Sequence, residues 1–354
     1  MRTRILPKML NSEVEEYLQH NDIIIVPVGT VEMHGGFPLD SETVISEAYA
    51  LRMAEACDGL VLTGLPYFYA GATASGRGTV QVSVRQGIDY LSAIAHSLLR
   101  QGFKRQIYIS FHGPAHMTCS PMVRDFFDET GVPILYMDLS QQLGKLAKDL
   151  FTSMDCFHAI TVGAYQIMGR LEDIPLTTAY AEPMQQSCAP FNDLFGLAYQ
   201  SAAIGYCFAK QSDHMPTTAI PDEAARQRLA DEGQSILEKA VAAMDMPHVV
   251  EQMRKLAAAC KKLGELAKSD NEGARLFYDD IEPWLTKVND MADCATILLT
   301  KDSQTKEAMS RAVENVEKMD TDKKYDVEIL NGMGKDIKIG STQAKPAERV
   351  LLPM

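Results

Sequence analysis

A short apolar run, Ile23–Val28, constrains the fold of this chain more than any other segment. It is made mostly of β-branched side chains and is followed by Gly29, and such a run predicts a strand that is buried on both faces of a sheet. Glu32 and His34 come next, and two residues apart in extended chain they would share one face. The run therefore predicts an α/β fold that delivers polar side chains at a strand end.

A turn at Gly35 and Gly36 could bring a second acidic side chain back toward this pair. Asp40 and Glu42 are the two candidates, and the residues alone do not decide between them. One imidazole and two carboxylates are typical ligands for zinc, manganese or iron. The alternative is an ordinary surface strand end followed by a turn, because Glu-x-His pairs often occur by accident.

A second segment repeats this arrangement. The apolar run Gln106–Phe111 ends in His112 and Gly113, and His116 follows. In an open α/β sheet, ligand-bearing loops gather at the carboxyl ends of the strands. Two strands that each end in a glycine-flanked histidine favour a shared metal site over two separate core histidines.

Strand-like apolar runs alternate with amphipathic stretches along the first half of the chain, which is the pattern of α/β proteins. Right-handed crossovers would make the strands parallel and place the loops after them on one rim. We therefore expect an α/β fold with a mainly parallel sheet. The predicted strands are Ile23–Val28, Leu60–Leu65, Gln106–Phe111 and Pro133–Asp138, and the predicted helices are Ser46–Ala56, Gly87–Gln101, Ser120–Thr130 and Leu139–Thr152.

The loop Tyr67–Thr79 is rich in glycine and in small hydroxyl residues. It could be a plain flexible connection, but a loop of this length in a compact domain is more often functional. We expect it to form a wall of the substrate pocket. The candidate substrate-binding residues are Tyr69, Thr73, Ser75, Arg77 and Thr79.

The motif that runs from Pro27 to Gly35 resembles the Pro-x-Gly-x-x-Glu-x-His-Gly signature of the creatininase family, a family of metal hydrolases. The matching positions are Pro27, Gly29, Glu32, His34 and Gly35. The resemblance extends over roughly the first 245 residues. It implies the three-layer α/β/α fold and a divalent ion, zinc or manganese with iron possible, at one or two ions per chain.

Further ligands follow from the same resemblance. The segment Ser110–Ala115 is similar to a family segment that implies His112 as a ligand, although two asparagines of the family are missing. Counted from Pro38, Glu42 takes the position of the carboxylate that bridges two ions, with Asp40 as its competitor. The ligand set implied by the resemblance is Glu32, His34, Glu42 and His112.

A later family motif, which often supplies another carboxylate, is matched only in part by this sequence. Gln166 stands where that carboxylate is expected and cannot replace its charge. The number of ions is therefore open, with His116, Glu172 or a single-ion site as the possible explanations.

Histidine is the side chain best suited to carry protons at neutral pH. His116 and His158 are the candidates for general acid or base, and each could instead be structural; His214 is a third, weaker candidate. Cys119 lies near the second histidine segment, but such cysteines are mostly small core residues.

The formal charge of −13 and the absence of Lys/Arg clusters argue against binding to nucleic acids or to anionic membranes. No apolar run approaches about 20 residues, and no signal-peptide core follows the amino terminus. The seven cysteines form no Cys-x-x-Cys pair, which favours reduced thiols. These features predict a soluble, cytoplasmic protein that acts on a small molecule.

The texture of the sequence changes near residue 246. We predict a metal hydrolase domain in residues 1–245 and a mostly helical extension in residues 246–354 that ends in a hairpin. The predicted elements of the extension are the helices Pro247–Leu266, Glu272–Lys287 and Lys301–Met319 and the hairpin Tyr325–Ile339. The family resemblance implies a homo-oligomer, often a hexamer.

The natural use of such a metal site is hydrolytic attack on a carbonyl carbon. In its polar loop and in the absence of the two family asparagines, the chain most resembles the inositol-catabolism branch of the family. In that branch a diketo-inositol ring is opened by hydrolysis of a carbon–carbon bond. Two alternatives remain: a cyclic amide or formamide hydrolase, and a non-catalytic binding protein that kept the fold.

Overall fold

The computed structural model describes residues 1–146, 154–177, 191–197, 204–209, 214, 219–267, 326–330, 336–338 and 349–353. These residues fall into two compact units. The first comprises Met1–Glu129 and Ile134–Glu251, and the second comprises Thr130–Pro133 and Gln252–Met354. The predicted division at residue 245 stays a prediction.

The helices and strands alternate through the first unit, as the sequence predicts. The helices are α1 (Asn11–Leu18), α2 (Ser41–Cys57), α3 (Val84–Gln101), α4 (His116–Thr130), α5 (Leu139–Leu146), α6 (Met154–Ile167), α7 (Asn192–Leu197), α8 (Glu223–Met244) and α9 (Met246–Ala267). The strands are β1 (Ile23–Pro27), β2 (Leu60–Val61), β3 (Arg105–Ser110), β4 (Leu135–Asp138), β5 (Asp326–Leu330), β6 (Asp336–Lys338) and β7 (Arg349–Pro353).

The central sheet of the first unit has four parallel strands in the order β2-β1-β3-β4. Its two middle strands are in register, with Pro27 opposite Ile109 near their carboxyl ends. The residues that follow β1 and β3 therefore emerge side by side at one rim. This confirms the predicted parallel sheet, and it is the feature that brings the two histidine segments together.

Helices cover both faces of the sheet. Successive residues of β3 point to opposite faces, so their contacts show which helix lies on each face. On one face the side-chain amide of Gln106 donates to the carbonyl of Ala95 on α3, at 3.0 Å. On the other face the ring of Phe111, just after β3, stacks with Tyr49 of α2 at 6.3 Å between centroids. The α/β fold with helices on both faces is confirmed.

Two helices begin four or five residues earlier than their sequence patterns indicate. Helix α2 starts at Ser41 rather than Ser46, and α4 starts at His116 rather than Ser120. The first turn of α2 carries polar side chains that the sequence reading assigned to a turn. Glu42 consequently lies on a helix, where the positive end of the helix dipole favours a carboxylate.

The second predicted strand was too long. Strand β2 contains only Leu60 and Val61, although the next amide still donates to Ile25 at 3.0 Å. Gly64 then adopts a φ of +91°, and the chain turns away from the sheet.

The second unit contains a three-stranded sheet in the order β6-β5-β7. Strands β5 and β6 are antiparallel, which confirms the predicted hairpin, and the parallel partner β7 was not predicted. The predicted helix Pro247–Leu266 corresponds to α9. Two predicted helices, 272–287 and 301–319, lie outside the described residues. The same holds for the last part of the predicted helix Leu139–Thr152. Among the helices that are described, none has the length and apolar composition needed to cross a bilayer.

Two glycines set the spacing between α6 and α8. A methyl group added to Gly233 would lie 1.7 Å from the carbonyl oxygen of Ala159, and one added to Gly163 would lie 2.2 Å from the backbone nitrogen of Gln234. Both obstacles are backbone atoms, so no side-chain rotation relieves them. The helices can approach this closely only where both residues lack a Cβ atom.

We expect Gly233→Ala to lower the free energy of unfolding. Alanine gains about 1 kcal/mol in helix propensity, but forcing the two helices apart costs about 1–3 kcal/mol or more. Urea unfolding followed by circular dichroism measures the net loss. Glu232→Ala, at an exposed position of the same helix, is the control and should stay within about 0.5 kcal/mol of wild type. Equal stabilities for the two variants would contradict the close packing.

Candidate metal centre

The first turn of α2 packs directly on the chain that leaves β1. A Cβ atom on Gly29 would lie 2.1 Å from the hydroxyl oxygen of Thr43 and 2.7 Å from its Cα atom. The Thr43 hydroxyl donates to the carbonyl of Thr30 at 2.7 Å. The glycine of the motif is therefore required by the close approach of α2, which brings Glu42 to the end of β1.

The segment that carries Glu32 and His34 is held by backbone hydrogen bonds. The amide of Glu32 donates to the carbonyl of Leu39 at 2.9 Å, and the amide of Val80 donates to the carbonyl just before Glu32 at 2.9 Å. Gly35 has a φ of +65°, which favours glycine. The predicted turn at the glycine pair is confirmed, and it returns the chain to α2.

Glu32, Glu42 and His112 form a first buried cluster in which one ligand atom of each lies within 4.8 Å of the others. Nδ1 of His112 is 2.5 Å from Oε2 of Glu42 and 3.2 Å from Oε1 of Glu32. Nε2 of His112 is 2.9 Å from the carbonyl oxygen of Tyr69. A ring whose Nε2–H donates to a backbone carbonyl presents Nδ1 as its ligand atom, which is the usual arrangement of a metal-bound histidine.

Glu32, His34 and His214 form a second cluster, again with ligand atoms within 4.8 Å of one another. Oε1 of Glu32 lies 4.0 Å from Nδ1 of His34 and 3.8 Å from Nε2 of His214. Both ring nitrogens of His34 and Nε2 of His214 are buried and make no hydrogen bond among the described residues. Buried polar atoms without partners are rare in proteins, so this donor set fits a cation.

The electrostatics of the first cluster depend on one imidazole between two carboxylates. Burial opposes the charge on His112, but Glu32 and Glu42 outweigh it and raise the pKa of His112 well above its usual range. Burial raises the pKa of Glu42 to about 7. Burial also opposes the charge on Glu32, but His112 holds the pKa of that carboxylate well below its usual range.

Burial has the opposite effect on the histidines of the second cluster. It lowers the pKa of His34 to about 3 and lowers the pKa of His214. Both rings are therefore neutral at physiological pH, which is the form that binds metal ions.

Asp40 does not point into either cluster. One of its carboxylate oxygens accepts the hydroxyl of Tyr165 at 2.5 Å, and the other accepts from Arg170 at 2.8 Å. Of the two candidates that the sequence left open, the geometry favours Glu42 as the ligand, and it gives Asp40 a role in holding the start of α2 against α6.

The structure separates the two candidate proton carriers. His158 on α6 is buried, and its ring lies 5.6 Å from that of Phe37. His116 is the first residue of α4, and its Nδ1 lies 2.9 Å from the carbonyl of Gly113. His116 is partly exposed, and the catalytic role of either histidine stays a prediction.

Of the residues predicted to form the substrate wall, some contact the first cluster and others do not. The hydroxyl of Thr73 contacts Oε2 of Glu32, and the backbone carbonyl of Tyr69 contacts His112. Thr79 braces the backbone, because its hydroxyl donates to the carbonyl of Thr73 at 3.0 Å and accepts from the amide of Met33 at 3.2 Å. Arg77 and Ser75 are exposed, and the Ser75 hydroxyl donates to the carbonyl of Phe208 at 2.6 Å.

Three residues that the sequence raised lie away from these clusters. Gln166 donates to the side chain of Gln234 on α8 at 2.8 Å, Glu172 is exposed, and burial raises the pKa of the Cys119 thiol. The structure also brings His214 into the second cluster, and sequence reasoning did not consider it as a candidate ligand. Its neighbours in the chain show no strand pattern, so only a search for partners of His34 in space could have found it.

A parallel α/β sheet with buried carboxylate and imidazole clusters at its carboxyl edge defines the class of this protein: an α/β protein with a candidate divalent-metal centre. Residues 7–166 match the model of the creatininase family, described as creatinine amidohydrolase. This part of the chain is similar to the creatininase family, and the resemblance noted in the sequence is confirmed.

One relative resembles the chain in sequence. The chain is 32% identical over 111 residues to the 3-dehydro-scyllo-inosose hydrolase of Thermotoga maritima, and the match covers 30% of this chain and 34% of that protein. The matched segment thus spans about a third of the relative's length.

Solved structures resemble the chain in fold. A creatininase mutant complexed with creatine has a TM-score of 0.51 at 17% identity, with 69% of this chain and 96% of that chain covered. A putative creatinine amidohydrolase from Bacteroides fragilis has a TM-score of 0.51 at 16% identity, with 72% and 97% covered. At these identities the likeness shows the shared fold.

We expect Glu42→Gln to weaken metal binding by about tenfold or more, because it removes a charged ligand from the buried cluster. Asp40→Asn should keep the metal affinity and lower stability by about 1 kcal/mol, because it weakens a partly exposed ion pair with Arg170. Competition with a chelator measures the first effect, and urea unfolding of metal-free protein measures the second. A larger loss of affinity in Asp40→Asn would move the ligand to Asp40.

Metal affinity should rise with pH. The raised pKa values of His112 and Glu42 leave at least one proton on this pair near neutral pH, and a metal ion must displace it. Because protonation lies on the low-pH side of a pKa, the competition is strongest in acid and weakens as the pH rises. Zinc affinity measured from pH 6 to 7.5 should increase about tenfold per unit; a constant affinity would contradict the shared proton.

Proposed function

We propose that this protein is a metal-dependent hydrolase that opens a diketo-inositol ring by hydrolysis of a carbon–carbon bond. The observation that carries the hydrolase assignment is the buried cluster of Glu32, Glu42 and His112 at the end of two parallel strands. The substrate is supported by the likeness to the Thermotoga maritima hydrolase, whose name states 3-dehydro-scyllo-inosose.

Glu32, Glu42 and His112 would hold the ion, with His34 beside them. The two carboxylates offset the charge of a divalent ion, and the contact between Tyr69 and His112 fixes the ring with Nδ1 toward the carboxylates. Zinc and manganese both suit such a mixture of oxygen and nitrogen donors, and iron remains possible. An ion bound there would act as a Lewis acid and activate water at neutral pH.

The reaction adds water across one carbon–carbon bond of a 1,3-diketone. The oxygen of water bonds to one ketone carbon, the bond from that carbon to the carbon between the ketones breaks, and its electron pair forms an enolate with the second ketone. Protonation of the enolate carbon then gives a linear keto acid. Proton transfer is a role for an imidazole, and the buried His158 and the partly exposed His116 are the candidates.

The chain residues around the cluster suit a polar ring. Thr73 lies at Glu32, and the loop beyond it presents Ser75 and the exposed guanidinium of Arg77. Hydroxyl and guanidinium groups can hydrogen-bond a polyhydroxylated substrate. The overall charge of −13 also favours a substrate without phosphate groups.

One other reaction is favoured by a specific observation. The family model is described as creatinine amidohydrolase, and hydrolysis of a cyclic amide or a formamide would use the same cluster to attack an amide carbon.

We also propose, from the family resemblance, that the protein forms a homo-oligomer of up to six chains. A cytoplasmic location is part of the same proposal.

We expect the metal-loaded protein to convert 3-dehydro-scyllo-inosose to a linear keto acid, and a chelator to stop the reaction. Scyllo-inosose is the matched control and should not be cleaved, because with one ketone the departing electron pair has no second carbonyl to receive it. Product formation is followed by mass spectrometry. Efficient turnover of creatinine or a formamide, with the diketone left at its spontaneous rate, would favour the amide hydrolase. Bound metal without turnover of any of these substrates would favour a binding protein.

His34→Ala and His112→Ala serve as the loss-of-metal controls for this assay. Each should lose metal and activity while the far-ultraviolet circular dichroism stays that of wild type, because the side chains lie at strand ends rather than in the apolar core. Wild-type turnover with full metal content in either variant would exclude the proposed ligands.

A further inference from the structure

The backbone pairing of the two middle strands stops just before the buried cluster. The amide of Val28 still donates to the carbonyl of Ile109 at 2.8 Å. In a parallel pair the next bond would run from the amide of Phe111 to the carbonyl of Val28. Instead, the hydroxyl of Ser110 donates to the Val28 carbonyl at 2.6 Å. The amide of Phe111 donates to the hydroxyl of Ser46 at 2.9 Å. Two serine side chains thus replace the next backbone bond between these strands.

Ser46 ties helix α2 to the end of β3. Its hydroxyl donates to the carbonyl of Glu42, one turn earlier in the helix, at 2.7 Å. Because the hydroxyl hydrogen is used within the helix, a lone pair of the same oxygen is left to accept from Phe111. The turn that carries Glu42 is therefore bonded to the residue that precedes His112.

Ser110 makes the corresponding connection between the end of β1 and His112. Its hydroxyl donates to the Val28 carbonyl and accepts from the amide of His112 at 3.1 Å. Ser46 and Ser110 are both 0% exposed. A hydroxyl buried to this degree is costly unless it is hydrogen-bonded, and each of these two both donates and accepts.

The two serines meet on the pair of side chains at the centre of the first cluster. Nδ1 of His112 lies 2.5 Å from Oε2 of Glu42. Ser46 bonds the backbone carbonyl of Glu42, and Ser110 bonds the backbone amide of His112. Each serine therefore acts on the placement of a candidate ligand through that residue's main chain.

We propose that Ser46 and Ser110 are positioning residues that hold Glu42 and His112 against each other in the candidate metal centre. The inference rests on the proposed function, because it takes the metal centre from it. A purely structural role would change only the stability of the fold. A positioning role also changes the affinity for the ion and the geometry of its ligands.

The first test compares metal binding in Ser46→Ala and Ser110→Ala with wild type, using the full chain. Zinc affinity, measured by competition with a chelator, should fall about 10- to 100-fold in each variant. The visible absorption spectrum of the cobalt-loaded protein should shift, because the ligands move relative to the ion. Ser46→Thr should recover the wild-type spectrum, since a threonine hydroxyl in a helix can make the same bond to the preceding turn.

Tyr108→Phe is the matched control for both alanine variants. It removes a buried hydroxyl from β3, and the bond that is lost goes to the side chain of Gln106, toward the other end of the strand, at 2.9 Å. This variant should keep the zinc affinity and the cobalt spectrum of wild type. An equal loss of affinity in Tyr108→Phe would overturn the positioning role, because any lost hydrogen bond on the strand would then have the same effect.

Hydrogen exchange of the metal-free protein gives a readout that is independent of the ion. The amide of Phe111 in Ser46→Ala and that of His112 in Ser110→Ala should exchange about tenfold faster, relative to the amide of Ile107 on the same strand. Ser110→Ala carries the test if Ser46→Ala fails to fold. Lower stability with wild-type affinity, spectrum and relative exchange rates in the alanine variants would overturn the positioning role and leave the metal centre standing. A wild-type protein that binds no metal would instead overturn the proposed function, and the exchange rates would then decide on the two serines separately.

Discussion

The rest of the site depends on the burial of Glu32 among three imidazoles. A carboxylate removed from water is costly unless positive charge or hydrogen-bond donors surround it. Here Oε1 of Glu32 lies within 4.0 Å of nitrogens from His112, His214 and His34. His112 supplies positive charge, whereas burial keeps the other two rings neutral. A divalent ion bound here would satisfy the carboxylate and the neutral rings together.

The start of α2 assigns different tasks to two acidic residues. Asp40 is the residue just before α2, and Glu42 lies in the first turn of that helix. Glu42 faces His112, while Asp40 reaches Tyr165 and Arg170. One carboxylate belongs to the buried cluster, and the other joins the start of α2 to Tyr165 of α6 and to Arg170. The close approach of Thr43 to Gly29 holds the first turn of α2 against the chain that leaves β1.

The turn Gly71–Ser75 links the loop predicted to form the substrate wall to the cluster. Thr73 contacts Glu32 from this turn, and Ser75 fastens the segment of Phe208, on which His214 stacks. The same turn therefore contacts Glu32 and supports the segment on which His214 stacks.

The sequence by itself determined the parallel sheet and the candidate ligands that follow its strands. Apolar runs such as Ile23–Val28 have a local period, and glycine-flanked histidines directly after two such runs must meet at one rim, so Glu32, His34 and His112 could be identified from pattern and family resemblance. It left Asp40 and Glu42 unresolved, because the choice depends on where α2 begins, and the polar first turn of that helix has no apolar period. Only the tertiary structure decided that choice and placed His214. Contacts between segments distant in the chain, such as those of His214 with His34 and Phe208, leave no local pattern because packing alone brings them together.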